Sequence, residues 1–441
     1  MAFIIIAVGI IFYANGWRWD FKQGRATKIG IIVLKATPKN DLKIYLDGQL
    51  QNRTKTPFRI AQVPGAYTLK VEKDGFLSWE KTIQVSEQIT SLEENIILVP
   101  KDPKTTPLVE NPITPQLSPN QREILYKKIV QGKEALYRRA IKNSEEENIY
   151  EPKTGTIGQF SWLNNDIVLA QNNQTLLVID KNNNNQFIIS APGILPETIA
   201  LNPKNNNEIF GIIDGSLYKF NLLNQKLDLI KQSVSVFKPA QNALFYIKQL
   251  EDKTAIFKSD FSGNSEEQLY QFLGTISDIK VIFPNEKQQK IAVLTKSGSL
   301  YLVDVIKNEI TTLGEGVTFV SWDQGFGQLF FNSLFEAKVY MIQNLGQKFE
   351  QSQIITRFSQ ELEAQSILPE EPETNHIIIK KEGKLFLLET DGKNLTEIKT
   401  PEIATSSPVF VDAEGQFVLF LDSKNQLLKL ELVRNQGLNI F

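Results

Sequence analysis

The stretch at residues 209–220, IFGIIDGSLYKF, decides the fold class of this chain. Two runs of apolar, β-branched and aromatic residues flank Asp214-Gly215, and a glycine at that place tolerates the positive φ of a tight hairpin turn. The pattern predicts two antiparallel strands. It returns at 291–303 around Ser297-Gly298, and again at 418–428 around Lys424-Asn425.

A short phrase precedes these hairpins. Its fullest copy is Ser118-Pro119-Asn120, and Leu201-Asn202-Pro203 precedes the stretch quoted above. Equivalent points recur at intervals of 36 to 47 residues, at Pro119, Trp162, Pro203, Pro239, Pro284, Trp322, Pro369 and Asp412. Short strands with such a period predict propeller blades of four strands each. An α-solenoid would show amphipathic 3.6-residue spacing, which is scarce here, and an array of β-sandwiches would have a less regular period.

At these points the chain resembles the TolB-like and WD-repeat-like β-propellers, which carry a Ser-Pro-Asp-Gly type turn before an apolar strand. Ser118-Pro119-Asn120 keeps that turn, whereas Trp162, Trp322 and Asp412 replace its proline. The resemblance covers 117–441. It implies a propeller, and the eight equivalent points predict about eight blades, or seven if the first and last units share one blade. Closure would pair residues after the preceding spacer with residues near 428–432, and the fold by itself fixes no function.

Residues 29–99 predict a separate small β module. Within Tyr67-Thr68-Leu69-Lys70-Val71 the apolar and polar side chains alternate, which is typical of a strand with one buried face. Turn-forming pairs separate the apolar runs, for example Asp47-Gly48 and Asp74-Gly75. We therefore expect a small sheet structure with one buried face.

Three motifs in order make this segment resemble the PEGA domain family. They are 45–48 (YLDG), 64–67 (PGAY) and 71–76 (VEKDGF), the last leading to Trp79; Phe76 stands where the family usually has tyrosine. The resemblance implies a β-sandwich-like module of bacterial and archaeal surface proteins, often beside a membrane anchor, and no catalysis. The motif residues, expected to form structural turns rather than bind ligands, are Asp47, Gly48, Pro64, Gly65, Ala66, Asp74, Gly75 and Trp79.

The segments outside these two domains have distinct compositions. Residues 2–14 are uninterruptedly apolar and precede Trp17 and Trp19. We expect a transmembrane anchor at 1–19; a signal-peptide core and a buried N-terminal helix or strand are the alternatives, and a spanning helix ordinarily needs ~20 residues. Five prolines between Pro100 and Pro115 predict an extended spacer at 100–116.

Composition excludes several kinds of chemistry. The 441 residues include no cysteine and one histidine, His376, so a thiolate metal site or a multi-histidine zinc site is excluded, and a lone histidine beside a strand is typically structural. The net charge of −2 argues against a nucleic-acid partner. Gly-x-Ser-x-Gly, Gly-x-Gly-x-x-Gly and Walker motifs are absent. Residues 180–184 imitate a calcium loop without its glycine and glutamate, and the acidic runs 144–147 and 370–373 are typical of solvated loops.

We therefore expect a mainly β protein without cofactors: a PEGA-like β-sandwich module followed by a β-propeller. The expected function is non-enzymatic binding or scaffolding at the prokaryotic cell envelope, with a single-pass membrane anchor and the bulk of the chain outside the cytoplasm. The ligand, a protein, peptide or glycan, would bind a propeller face or the central channel. The alternatives are an envelope hydrolase or lyase with carboxylates in the channel, and a cytoplasmic scaffold with a buried N-terminus.

Overall fold

A computed structural model gives the structure of the chain at residues 2–21, 24–143, 145–173, 175–182, 185–189, 194, 198–276, 278–285, 287, 289–323, 325, 327–342, 351–359, 361–370 and 374–433. The chain begins with helix α1 (Ala2–Ala14) and a hairpin of β1 (Trp17–Asp20) and β2 (Arg25–Lys28). Among these described residues, no helix combines the length and apolar character that crossing a bilayer requires. This finding overturns the expected anchor at 1–19 and the single-pass membrane localisation that depended on it.

The next module consists of two facing sheets. One has the order β6-β3-β9 and the other the order β5-β4-β7-β8. Their strands are β3 (Gly30–Thr37), β4 (Lys43–Leu46), β5 (Gln49–Leu50), β6 (Phe58–Gln62), β7 (Gly65–Glu72), β8 (Trp79–Val85) and β9 (Thr90–Ile97). Tyr67, Leu69 and Val71 of β7 are buried in a common core with Ile32 and Leu34 of β3. The apolar face that alternation predicted is therefore the face that packs against the other sheet.

The remainder of the described chain forms eight four-stranded antiparallel sheets, the blades of a β-propeller. A first strand, β10 (Thr105–Glu110), precedes them. Blade 1 contains β11 (Ile113–Leu117), β12 (Glu123–Val130), β13 (Lys133–Ala140) and β14 (Glu146–Tyr150), and blade 2 contains β15 (Ile157–Trp162), β16 (Ile167–Asn172), β17 (Thr175–Asp180) and β18 (Asn185–Ile189). Blade 3 contains β19 (Ala200–Asn202), β20 (Asn205–Ile213), β21 (Ser216–Asn221) and β22 (Leu227–Lys231), and blade 4 contains β23 (Val234–Pro239), β24 (Leu244–Leu250), β25 (Lys253–Ser259) and β26 (Glu267–Gln271).

Blades 5 to 8 continue the same order. Blade 5 contains β27 (Ile279–Asn285), β28 (Lys290–Thr295), β29 (Leu300–Asp304) and β30 (Glu309–Gly314), and blade 6 contains β31 (Val320–Trp322), β32 (Gln328–Ser333), β33 (Glu336–Met341) and β34 (Gln351–Arg357). Blade 7 contains β35 (Ala364–Ile367), β36 (His376–Lys381), β37 (Lys384–Glu389) and β38 (Thr396–Ile398), and blade 8 contains β39 (Val409–Val411), β40 (Phe417–Leu421), β41 (Gln426–Glu431) and β10. The prediction of a mainly β protein with a β-propeller is confirmed, and the eight sheets formed by the described residues are consistent with the expected number of about eight blades.

The recurring phrase of the sequence marks the end of the first strand in every blade. Pro239 ends β23, Trp322 ends β31, and Asp412 directly follows β39. First strands of neighbouring blades contact one another at β19 and β23, β23 and β27, β27 and β31, and β35 and β39, as expected for strands that surround the propeller axis. Polar side chains close several of the turns that follow: the Ser118 hydroxyl and the Asp412 carboxylate each accept backbone N–H groups across the turn. The repeat period is therefore the spacing between successive inner turns.

Second strands are buried on both faces because each blade is covered by two neighbours. Tyr126, Phe210, Tyr246, Phe330 and Phe420, all on second strands, have no measurable exposure. Such strands have continuous apolar sequences instead of alternating ones. This explains why the runs following the recurring phrase were the clearest β signals.

The expected spacer at 100–116 is corrected by the structure. Its residues form β10, which is the outermost strand of blade 8, and most of β11, the innermost strand of blade 1. Thr105 pairs with Leu430 and Glu110 with Gln426, so closure uses residues inside the expected spacer rather than after it. Pro107 is tolerated because an outermost strand presents one edge without a partner strand, and the register shifts next to it. Proline content alone was therefore a misleading signal.

Candidate interaction sites

Strand direction divides the turns of the propeller between two faces. Because neighbouring strands are antiparallel, the turns from second to third strand share one face with the connections between blades. We call this the upper face. Turns from first to second and from third to fourth strand lie on the opposite, lower face.

The PEGA-like module contacts the lower face at blade 7. The Trp79 indole Nε1–H donates to Glu389 Oε1 over 2.5 Å, and Lys81 Nζ donates to Glu389 Oε2 over 3.0 Å. Glu389 ends β37, and its neighbour Asp391 forms a 2.8 Å ion pair with Lys81. An apolar contact adjoins these bonds, where Val99 is buried in one cluster with residues of blades 7 and 8 and with Leu77 packed against it.

Lys81 is the centre of a mostly buried ionic network. It pairs with Glu93 of its own module at 3.1 Å, and with Glu389 and Asp391 of the propeller. Burial lowers the pKa of Lys81, but the hydrogen bond to Asp391 and the charges of Glu389 and Glu93 outweigh it and hold that pKa above its ordinary value. Burial raises the pKa of Glu93. The negative charges of Glu389 and Asp391 also raise it, whereas Lys81 lowers it. Three carboxylates thus share one ammonium group.

The single histidine of the chain lies next to this network. His376 begins β36 and pairs across the strands with Glu389 of β37. Its side chain is buried, and Nδ1 lies 2.9 Å from Glu370 Oε1. The other oxygen of Glu370 accepts the backbone N–H groups of Asn375 and His376. The Glu370 carboxylate therefore fixes the position of the imidazole ring. The acidic run 370–373 had predicted a solvated loop, which is wrong for Glu370, and residues 371–373 lie outside the described residues.

A cleft separates the two domains at this point, and we call it the junction cleft. It encloses about 330 Å³. The PEGA-like module contributes Lys81 and residues 92–96, and blade 7 contributes Asn375, His376 and residues 389–391. The residues that line the cleft therefore include the exposed Leu92, His376, Lys81 and four acidic residues, Glu93, Glu94, Glu389 and Asp391.

The upper face carries a second candidate surface, over blades 4 to 6. Four large apolar side chains are exposed in its turns and connections: Leu250 (39 %), Leu273 (102 %), Leu334 (42 %) and Phe335 (49 %). They lie on the same face of the propeller, where backbone hydrogen bonds tie the connections between blades to neighbouring turns: Thr254 N–H to Gly274 O, Lys296 N–H to Asp278 O, Val317 N–H to Gly298 O, and Phe358 N–H to Phe335 O. We call this surface the upper ledge.

The upper ledge is strongly acidic. The second-to-third-strand turns of blades 4 to 6, and the connections that follow these blades, contain six acidic residues and one lysine, which are Glu251, Asp252, Asp278, Glu315, Glu361, Glu363 and Lys296. Glu363 is neutralised by the buried Lys380, at 2.9 Å. The remaining carboxylates surround the apolar side chains.

The inner strands that line the propeller axis contain few charged residues. The first strands of the eight blades, within their bounds, contain no aspartate or glutamate; their charged residues are Lys238 and Lys280. Desolvation by the surrounding protein lowers the pKa of Lys238. Glutamine and asparagine side chains supply much of the remaining polarity, for example Gln116, which donates to Phe160 O of the next blade. A hydrolase or lyase centre built from carboxylates on these strands has no support.

The motif residues of the PEGA-like segment lie mostly in turns. Asp47 and Gly48 (φ 47° and 77°) connect β4 to β5, and the Asp47 carboxylate accepts the Thr68 N–H. Asp74 and Gly75 follow β7, and Asp74 pairs with Lys43 at 3.0 Å. Pro64 precedes β7, whereas Gly65 and Ala66 already belong to that strand. Trp79 differs from all of these, because its bond to Glu389 joins the two domains.

The described residues offer no candidate metal centre. They contain no group of three or more His, Asp or Glu side chains arranged to hold a metal ion. Of the calcium-like run, Asp180 accepts the Asn182 N–H in a turn after β17, while Asn183 and Asn184 lie outside the described residues. Sequence reasoning missed Lys81, Glu93, Glu389 and Asp391. It also missed the upper ledge, although Leu334-Phe335 in a two-residue hairpin turn was an available signal, since such turns normally favour glycine or asparagine.

Comparisons with known proteins agree with this architecture. Residues 29–96 match the family model of the PEGA domain. No curated protein matches the chain. Among solved structures, the C-terminal WD40 domain of Sif2 is 12 % identical with a TM-score of 0.50, over 75 % of this chain and 99 % of that one. A eukaryotic initiation factor structure is 13 % identical with a TM-score of 0.52, over 78 % of this chain and 96 % of that one. These likenesses show the β-propeller fold.

Proposed function

We propose that this chain is a non-enzymatic binding or scaffolding protein whose propeller holds a protein partner on the upper ledge. The PEGA-like module occupies the lower face at blade 7 and leaves the upper ledge accessible. The observation that carries the proposal is the set of four exposed apolar side chains on the same face of blades 4 to 6. Large exposed apolar patches typically mark interaction sites.

The chemistry of the upper ledge favours a basic, partly apolar protein segment. Leu250, Leu273 and Leu334 provide aliphatic contacts, and the surrounding carboxylates repel an acidic partner. A glycan would be stacked on aromatic rings more readily than on leucines. We therefore propose a protein or peptide partner, rich in lysine or arginine around an apolar centre, in preference to a glycan.

The test places a photo-crosslinking amino acid at position 273 or 335 of the full chain in its source cells. The matched control is position 229, where Leu229 is equally exposed (50 %) on β22, the outermost strand of blade 3. We expect one partner to be crosslinked from 273 and 335 and not from 229. Its purified form should bind the wild type at least tenfold more tightly than Leu273→Asp. Crosslinks of equal strength from 229, or equal affinity for the variant, contradict the proposal.

A further inference from the structure

The segment 51–59, which leads from β5 into β6 of the PEGA-like module, surrounds a positively charged cavity; we call this segment the basic loop. The cavity encloses about 460 Å³, and its charged lining residues are Arg53, Lys55 and Arg59. All three side chains are exposed, and none of them forms an ion pair or a hydrogen bond with another described residue. Like charges around one cavity repel each other unless an anion lies between them. The described part of the protein supplies no such anion.

The carboxylates of the PEGA-like module are committed elsewhere. Residues 48–71 contain no aspartate or glutamate. Asp41 lies close to the basic loop in the fold, but its carboxylate pairs with Lys73 at 3.4 Å. Glu93 belongs to β9, which β3 separates from β6, and it pairs with Lys81. The positive charge of the basic loop is therefore available to a ligand.

Hydrogen bonds hold the backbone of the basic loop in place. Thr56 is 7 % exposed, and its hydroxyl accepts the Ala36 N–H and donates to the Ala36 carbonyl, each over 3.2 Å. Two residues earlier, Thr54 O accepts the Leu42 N–H over 2.9 Å. Lys55 is thus exposed between two fixed residues. A backbone that is already ordered lowers the entropic cost of binding.

The third cation projects from a regular strand. Arg59 is exposed on β6, whereas its neighbour Phe58 is 9 % exposed and belongs to the core of the module. In the register of the sheet, Arg59 pairs with Val33 of β3. The guanidinium group therefore starts from a fixed position at the edge of the cavity, like the ammonium group of Lys55.

The chemistry of the three cations favours a phosphate group. Guanidinium groups bind phosphate oxygens in a bidentate manner, and a lysine ammonium group adds a point charge. A carboxylate offers one negative charge to these three cations, whereas a phosphate monoester carries about −1.5 to −2 at pH 7 and presents three acceptor oxygens. The volume of about 460 Å³ lies within the ~300–1,000 Å³ of small-ligand pockets, so the cavity also has room for an organic group.

We propose that the basic loop binds the phosphate group of a small molecule between Arg53, Lys55 and Arg59. Free phosphate and a phosphate monoester share this chemistry. In a monoester the organic part would lie against Pro57 and Phe58, which also line the cavity. This site belongs to the PEGA-like module and is independent of the upper ledge.

The test uses ³¹P NMR on phenyl phosphate titrated with the full chain at low ionic strength, where screening of exposed charges is weakest. We expect a saturable change in the shift or width of the ³¹P signal. Benzoate, which presents a carboxylate on the same ring, should not displace phenyl phosphate. A parallel titration with inorganic phosphate identifies the source: weaker binding than phenyl phosphate indicates a monoester, and equal or tighter binding indicates free phosphate.

Variants distinguish a phosphate site from general attraction of anions. Arg53→Gln, Lys55→Gln and Arg59→Gln each remove one cation and should weaken binding about tenfold. Lys153→Gln is the matched control, because Lys153 is an exposed lysine between β14 and β15, and it should not change affinity. Arg59→Lys keeps the charge but loses the bidentate geometry, and it should weaken binding about threefold. Thermal unfolding checks that each variant is folded.

Four results overturn the proposal. The first two are a ³¹P signal that the wild-type protein does not change, and displacement of phenyl phosphate by an equal concentration of benzoate. The third is a loss of affinity in Lys153→Gln as large as in Arg53→Gln, which would mean that the net charge of the protein attracts the anion. The fourth is wild-type affinity in Arg59→Lys, which would exclude recognition of phosphate by the guanidinium group.

Discussion

Trp79 and Glu389 are 310 residues apart in the chain, and the indole N–H of Trp79 donates to the Glu389 carboxylate over 2.5 Å in a buried contact between the two domains. The same carboxylate accepts bonds from Lys81 and Asn394. A residue that the PEGA resemblance identifies as a structural motif position therefore also fixes its module on blade 7. Trp79 is thus both a PEGA motif residue and part of the contact between the two domains.

Trp79→Phe should weaken the domain contact without emptying the core around residue 79. Phenylalanine keeps an aromatic ring but removes the donor, and hydrogen bonds to charged groups contribute about 1.5–3 kcal/mol. We expect a loss of that order in the free energy of unfolding of the PEGA-like module, measured by urea denaturation. Trp19→Phe is the control, because Trp19 is 56 % exposed. Equal losses in both variants would show that the Glu389 bond is without energetic effect.

Lys81→Met should destabilise the protein in a pH-dependent manner. Removing one partner of a buried ionic cluster costs about 3–5 kcal/mol, because the remaining charges are uncompensated. The pKa of Glu93, which burial already raises, then lies further above its unfolded value because the opposing charge of Lys81 is gone, so the destabilisation is present above that pKa and decreases as the pH falls through it. We expect the variant to gain stability between pH 8 and pH 5 relative to wild type.

The melting temperature at the two pH values measures this effect. Lys384→Met is the control, since the Lys384–Glu397 pair is about half exposed and such pairs contribute little. A Lys81→Met variant whose loss is the same at pH 5 and pH 8 would show that the network is not electrostatically strained.

Asp412 provides a pH prediction in blade 8. Burial, the contact with Glu414 and its charge raise the pKa of Asp412 to about 6, although the Phe417 and Gln416 N–H groups oppose the shift. A raised acid pKa means that the ionised group destabilises the fold above about pH 6 and that this cost disappears as the pH falls toward the unfolded value. Asp412→Asn should therefore raise stability at pH 8, by up to about 3 kcal/mol, and have little effect below pH 4.

Urea denaturation at pH 8 and pH 4 tests this prediction. Glu414→Gln is the companion variant; it removes the neighbouring carboxylate and should produce a smaller gain with the same pH dependence. An Asp412→Asn protein that is no more stable than wild type at pH 8 would show that the ionised Asp412 carboxylate does not destabilise the fold.

Sequence predicted the propeller because its signal is local and repeated. Each blade needs the same turn after its inner strand and the same doubly buried second strand, so Pro203 with 209–213 and Pro284 with 291–294 repeat one pattern. The strand at 105–110 was missed for an equally local reason. Pro107 suggests an extended spacer, and only the pairing with β41, more than 300 residues later, shows that an outermost strand tolerates it.

The junction cleft has no such local signal. Lys81 and Glu389 meet where the PEGA-like module contacts the propeller, and neither periodicity nor spacing in the sequence encodes that contact. His376 was identified from composition, but its role depended on Glu370 and on the facing edge of β9. The exposed leucine and phenylalanine in the blade 6 turn were visible in the sequence, yet their connection to Leu273 appears only after the blades are assembled.

Closure of the propeller by β10 gives the last prediction. Val109 is 2 % exposed and pairs with Leu427 of β41, so Val109→Asp places a charge in the blade 8 core, at a cost of several kcal/mol. If β10 is the closing strand, hydrogen exchange should accelerate first in 426–431, and later in neighbouring blades. Glu110→Lys, on the exposed adjacent position, is the control and should leave exchange unchanged. Uniform acceleration across all blades, without priority at 426–431, would mean that β10 does not act as a separate closing element.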